Sequence, residues 1–131
     1  MRYNEKIMNE FYNPQNVGVI RGADVKGKSV AQDTREILKI YIQVENNVIK
    51  NANFQAFGGV VAIAATSVAT RLMLNKTVED AGKITAEDIF KELGDVPESK
   101  KYLIGLAIKT VQDAVSNYSK KIKGEKIVDE D

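Results

Sequence analysis

The stretch from Leu38 to Gly59 constrains the fold more than any other part of the chain. Leu38, Ile40, Ile42 and Val44 alternate with Lys39, Tyr41 and Gln43, the period of two that buries one face of a strand. Glu45-Asn46-Asn47 supplies residues that tolerate positive φ and so close a tight turn. The return run sets Ala52, Phe54 and Ala56 against Asn51, Asn53 and Gln55, which makes an antiparallel hairpin with one apolar face. Gly58-Gly59 then switches the period to that of a helix. Val60 to Leu74 is apolar nearly all round, and its small residues Ala62, Ala64, Ala65 and Ala69 permit close backbone approach. A helix of that kind is buried on most sides.

The flanks are read by the same rules. Tyr3 to Tyr12 forms a short helix that Asn13-Pro14 stops, because a residue before proline avoids the α region. Val17 to Ala31, broken by Gly18, Gly22 and Gly27, suits an irregular edge strand followed by a loop. Thr77-Val-Glu-Asp80 and Thr85-Ala-Glu-Asp88 carry the capping pattern of two helix starts, and Asp95-Val-Pro-Glu98 offers a third. The last helix aligns Leu103, Leu106, Ala107, Val111, Ala114, Val115 and Tyr118. From Lys120 to Asp131 the chain is charge-rich, which predicts one domain over residues 1–119 and a disordered tail over 120–131. The class is α+β: a small three-stranded antiparallel sheet with helices packed on one face.

With 131 residues the chain is sized for one core. It has neither cysteine nor histidine, which excludes disulfides, thiolate nucleophiles, self-ligated iron–sulfur clusters and ordinary zinc sites. Triads with a histidine base are excluded as well, and any metal held by this chain alone takes oxygen ligands. The net charge of +1 removes the strong electrostatic case for nucleic acid or acidic membranes and leaves only local basic patches. Met1 to Phe11 lacks the apolar core of a signal peptide. Gly58 to Leu74 contains Thr66, Ser67, Thr70 and Arg71 and falls short of the ~20 apolar residues of a membrane span. A soluble, cytoplasmic protein is expected.

Several features carry two readings each. Gly58-Gly59 before a helix either cradles a phosphate or makes a tight turn. Asp33 and Glu36 form an acid/base pair, a hard-metal site, or ordinary surface carboxylates. Lys100, Lys101, Lys120, Lys121 and Lys123 lack interleaved aromatics apart from Tyr102 and Tyr118, so a solvated face fits better than a nucleic-acid patch.

The run from Tyr3 to Gly18, YNEKIMNEFYNPQNVG, closely resembles the opening of the IscU/NifU N-terminal family of iron–sulfur cluster assembly scaffolds. The Leu38–Val44 strand, Ala52–Gly58, Ala62–Ala64 and Lys76-Thr77 are similar to it too, so the likeness runs to about Tyr118. It implies a three-stranded antiparallel sheet with packed helices. It also implies a chemistry resting on three cysteines, with an aspartate nearby and a histidine beside the last, since soft thiolates hold cluster iron. Aligned on the strands, the three cysteine positions fall on Thr34, Gly59 and Leu103, the aspartate on Glu36 and the histidine on Tyr102. A one-residue gap sets Asp33 at the aspartate position instead. The family's chaperone-recognition segment lies on Val96-Pro97-Glu98-Ser99-Lys100 and keeps one proline and the lysine.

The neighbours of the lost cysteines differ too, at Arg35, Val60, Val61, Ile104 and Gly105, which favours a natural degenerate paralogue over mutagenesis. Apolar Val60, Val61, Leu103 and Ile104 place bulk where a metal pocket would lie. The resemblance therefore implies a pseudo-scaffold, not an enzyme, that carries no cofactor. Its expected partner is a cysteine desulfurase or another assembly protein, bound through Tyr3, Asn13, Pro14, Pro97 and Lys100. Two alternatives stand beside it: cluster assembly with ligands borrowed from a partner, and a small-ligand binder or enzyme in the refilled pocket near Thr34, Glu36, Gly59 and Tyr102.

Overall fold

The computed structural model describes residues 2–128. Helix α1 (Glu5–Tyr12) leads into strands β1 (Val25–Val30), β2 (Ile37–Glu45) and β3 (Val48–Phe57). Helices α2 (Val60–Met73), α3 (Val78–Ala81), α4 (Ala86–Leu93) and α5 (Tyr102–Ile122) follow, with a 3-10 turn at Glu98–Lys100 before the last. The strands form one antiparallel sheet in the order β1-β2-β3, as the alternation predicts. Asn46 and Asn47 both adopt positive φ, 50° and 65°, as a two-residue hairpin turn matching the strand twist requires. The register places Ile40 opposite Phe54 and Ile42 opposite Ala52, then shifts beyond Gln43 so that Ile49 pairs with Val44. The shift leaves Lys50 over and turns both Ile49 and Ala52 inward.

The inner face is covered by α2 against β3 and α5 against β1. Leu38, Ile40, Ile42, Phe54, Val68 and Val111 meet there, each at most 2% exposed. A β-carbon on Gly27 would stand 2.5 Å from the Ala114 nitrogen and 2.9 Å from its Cα. The absence of that carbon lets α5 lie directly on β1. Leu103, Leu106, Ala107, Val111 and Ala114 are buried as the periodicity predicts, and Ile104, Thr110 and Asn117 join them. Val115 and Tyr118 are partly buried against the core.

Both sheet edges are covered, which removes the bare ladder that invites aggregation. Along β3, the Gly18 N–H donates to the Phe54 carbonyl at 2.8 Å and the Phe54 N–H to the Asn16 carbonyl at 2.9 Å. Along β1, the Lys28 N–H donates to Asp113 Oδ2 at 2.9 Å and Asn117 Nδ2 to the Lys26 carbonyl at 2.8 Å. The Thr77 and Thr85 hydroxyls cap α3 and α4, and Thr85 completes a full capping box with Asp88. Among the described residues no helix is long and apolar enough to cross a membrane.

Three expectations change. In Val17–Ala31 the order is reversed: an irregular segment comes first, with Val17 bridging Phe54, and the regular strand is Val25–Val30. Positive φ at Gly18 and Gly22 breaks the early part. The start signal at Asp95 opens the 3-10 turn, and α5 begins at Tyr102. At the C-terminus α5 runs past residue 119 to Ile122, and Ile127 is partly buried against the core while Lys123 to Lys126 and Val128 are exposed. Asp129 to Asp131 lie outside the described residues.

Replacing Gly27 by alanine is expected to destabilise the fold by about 3 kcal/mol, the upper part of the usual overpacking cost, because the obstacle is backbone. The midpoint of urea unfolding measures this; an unchanged midpoint would show that α5 can move away freely.

Candidate functional site

At one end of the sheet three segments converge on the Glu36 carboxylate. The β1–β2 loop brings Thr34, whose hydroxyl donates to Glu36 Oε1. The first residue of α5 brings Tyr102, whose hydroxyl donates to Oε2 at 2.7 Å. The strand-to-helix turn brings Gly58, where a β-carbon would stand 2.8 Å from Glu36 Cγ and 3.0 Å from the Ala62 β-carbon. Gly58 is therefore glycine because the Glu36 stem needs that space. The loop itself is held tight by Arg35 at φ 68°, its N–H donating to the Ala31 carbonyl at 2.7 Å while Ala31 N–H donates to the Glu36 carbonyl at 2.9 Å.

Burial pushes the Glu36 carboxyl up. The hydrogen bonds from Thr34, Tyr102 and its own backbone, with the nearby Lys100 charge, outweigh that and hold it below its ordinary value of 4.5. Both oxygens thus stay ionised and engaged by hydroxyls. Asp33 stays exposed on the loop. Among the described residues no group of three or more Asp or Glu could hold a metal.

Thr34 and Gly59 are exposed at this end, whereas Leu103 is 2% exposed and turned into the core. Val61 and Ile104 are equally buried, and Val60 is partly buried against the core. On the outer face of the sheet Val30 pairs with Ile37 and Ile37 with Phe57, one apolar row next to Glu36. Val30 is 40% exposed, Phe57 53% and Tyr102 40%. The sequence reading passed over this row. Its signal was present, since Ile37 and Phe57 are apolar at positions out of phase with the inward-facing residues.

The five residues assigned to docking occupy three neighbourhoods. Tyr3 precedes Asn4, whose side-chain amide donates to the carbonyls of Leu93 and Asp95 at 2.9 and 2.8 Å, so Tyr3 lies toward the Pro97 segment. Asn13 and Pro14 lie at the far end of α1, where the Gln15 N–H donates to Ser67 Oγ at 2.7 Å. Lys100 lies by Glu36. Near Asn13 a polar cleft between α1, α2 and α4 holds an ion-pair chain that sequence reasoning missed: Arg71 reaches Glu10 at 2.8 Å and Glu92 at 2.6 Å.

Residues 2–125 match the family described as the NifU-like N terminal domain. The chain belongs to that family. Over 119 residues it is 37% identical to an iron–sulfur cluster assembly scaffold protein IscU of Archaeoglobus fulgidus, covering 91% of this chain and 78% of that one. The IscU scaffold of Aquifex aeolicus is 36% identical over 118 residues, covering 88% and 75%. Among solved structures, a SUF-system scaffold candidate from Fervidobacterium islandicum AW-1 superposes with a TM-score of 0.73 at 19% identity, over 86% of this chain and 96% of that one. The last likeness shows the fold alone. This member of the scaffold family has no cysteine.

Two outcomes test the site. Tyr102→Phe should cost at most about 1 kcal/mol at neutral pH, because the bond it removes is largely exposed. Since the folded-state value of Glu36 lies below the ordinary one, its contribution is complete above 4.5 and fades as pH falls through the folded value. Thermal melts of wild type and Glu36→Gln should therefore differ at pH 7 and converge in acid. A gap that stays constant into acid would remove Glu36 from the account.

Proposed function

We propose that this chain is a cysteine-less pseudo-scaffold that binds an iron–sulfur assembly partner, foremost a cysteine desulfurase, without holding a cluster itself. One observation carries the reading. The positions that the resemblance assigns to the family's cysteines hold Thr34, Gly59 and buried Leu103, while Val30 and Phe57 are exposed at this end of the sheet with half-buried Ile37 between them. A surface without soft ligands that presents apolar side chains near a fixed carboxylate suits protein docking. Lys100 and Pro97 lie in the turn that leads into α5; Tyr3, Asn13 and Pro14 are proposed as further contacts at separate places on the molecule. Bound there, the chain would occupy a scaffold's place and accept no sulfur, which makes it a competitor. The protein is proposed to act in the cytoplasm and to have no enzymatic activity of its own.

Titration against the cysteine desulfurase of the same organism tests the reading. A micromolar or tighter Kd, about −8 kcal/mol, is expected, and Phe57→Asp should weaken it at least tenfold. Absence of binding would leave the family fold without the family's docking. Anaerobic incubation with iron and sulfide should leave the chain colourless and its melting temperature indifferent to EDTA. A protein-bound chromophore would instead support cluster assembly with borrowed ligands.

A further inference from the structure

The polar cleft between α1, α2 and α4, about 520 Å³ in volume, is lined by charged and carboxamide side chains alone. Its charges fall into two layers. Inside, Glu10 is 12% exposed and fully engaged: Oε1 accepts from Arg71 Nη2 at 2.8 Å and Oε2 from the Ser67 hydroxyl at 2.6 Å. Glu92 is 39% exposed and accepts from Arg71 Nη1 at 2.6 Å through Oε1. Among the described residues its Oε2 takes no hydrogen bond. Two carboxylates on one guanidinium leave this layer with one negative charge in excess. Outside it, Lys6 and Lys91 stand exposed. The Lys6 stem lies beside the end of α4, its Cδ 3.6 Å from where a β-carbon on Gly94 would stand, and Lys91 is in the last turn of that helix.

Negative within and positive at the rim is the complement of a zwitterion. We propose that the cleft binds a free α-amino acid with a polar side chain, its ammonium donating to Glu92 Oε2 and its carboxylate meeting Lys6 and Lys91. A lone anion would also face Glu10 and Glu92, and a lone cation would face the two lysines, so like-charge repulsion selects a ligand carrying both signs. Arg71 is a positioning residue. Pinned by carboxylates from two helices, it holds Glu92 in place before the ligand arrives. Asn13 and Gln15 each spend an amide N–H on a carbonyl, of Asn9 and Asn13 respectively. Their side-chain oxygens remain as acceptors, which favours a ligand side chain that donates. The volume is within the range of small-molecule sites. The charges involved are largely exposed, where ion pairs are weak, so the affinity is millimolar. The inference does not rest on the docking reading, with which it shares Asn13.

Titration of the isotope-labelled full-length chain with L-glutamine tests the site. Amide shifts that saturate in the millimolar range are expected at Asn9, Asn13, Arg71 and Glu92, with Thr34, Glu36 and Tyr102 unmoved. N-acetylglutamine lacks the ammonium and glutamine amide lacks the carboxylate, and each should bind about tenfold more weakly or worse. L-leucine, which has no donor beyond its ammonium, should bind more weakly than glutamine. Glu92→Gln should lose about tenfold in affinity while its melting temperature stays near that of wild type, because the pair it breaks is largely exposed. Lys91→Gln should weaken binding in the same way, and Glu87→Gln, on α4 outside the cleft, should leave it unchanged. Absence of saturable shifts at the cleft would overturn the proposal. So would equal binding of glutamine and its two blocked forms, or binding indifferent to Glu92→Gln. Preference for N-acetylglutamine would overturn it too, and would assign the cleft to the acidic groups of a protein partner.

Discussion

The direct contact of α5 with β1 at Gly27 organises the molecule. Because no β-carbon separates them, the Ala114 backbone sits over the strand, and side chains of α5 reach the strand's outer edge. Asp113 takes the Lys28 N–H and Asn117 gives to the Lys26 carbonyl, so the helix covers both the face and the edge of β1. That placement sets the rest. The start of α5 delivers Tyr102 to Glu36 at one end of the sheet, and its last turn delivers Lys121 to Asp24 at the other.

The site end is held by two kinds of contact. This end of the sheet has a carboxylate held by two hydroxyls and an apolar layer beneath it. The two are unequal in strength. Burial of Leu103, Ile104 and Val61 contributes roughly 1.5–3 kcal/mol each, whereas a largely exposed hydrogen bond contributes at most about 1 kcal/mol. Packing therefore supplies the stability, and Glu36 supplies geometry: it fixes Thr34, Gly58 and Tyr102 relative to one another. Leu103 is part of the core and cannot turn to the surface without leaving a cavity there.

Much of the fold was legible because its signals are local. The alternation of Leu38 to Val44, the paired asparagines at 46 and 47, and the threonine caps at 77 and 85 each act within a few residues, and the structure has them where the sequence places them. What escaped depends on distant partners. Whether Val17 or Val25 starts the regular strand is decided by Phe54 and Ile42 across the sheet. Glu36 meets Tyr102 across 66 positions of sequence, and no spacing rule joins them. The stretch from Lys120 was placed outside the last helix for another reason. Its lysines and acids gave a disordered composition, while the single glycine at 124, following lysines at a helix end, is a stop signal that outweighs composition.

The opening stretch, where the likeness to the family is most specific, is accounted for by the fold itself. Asn4 caps α1 and ties it to the carbonyls of Leu93 and Asp95. Asn13 closes the helix with its N–H on the Asn9 carbonyl. Asn16, at φ 62°, and Gly18, at φ 120°, hold conformations that let the segment pair with Phe54 on the free edge of β3, and few residues adopt either. Glu10 is spent on Arg71 and Ser67. Each of these residues would be required for folding whether or not a partner binds, so their presence says nothing about docking. The exposed apolar row is different. Val30 and Phe57 are 40% and 53% exposed, so the fold uses only part of each side chain, and the remainder is what the proposed docking would cover.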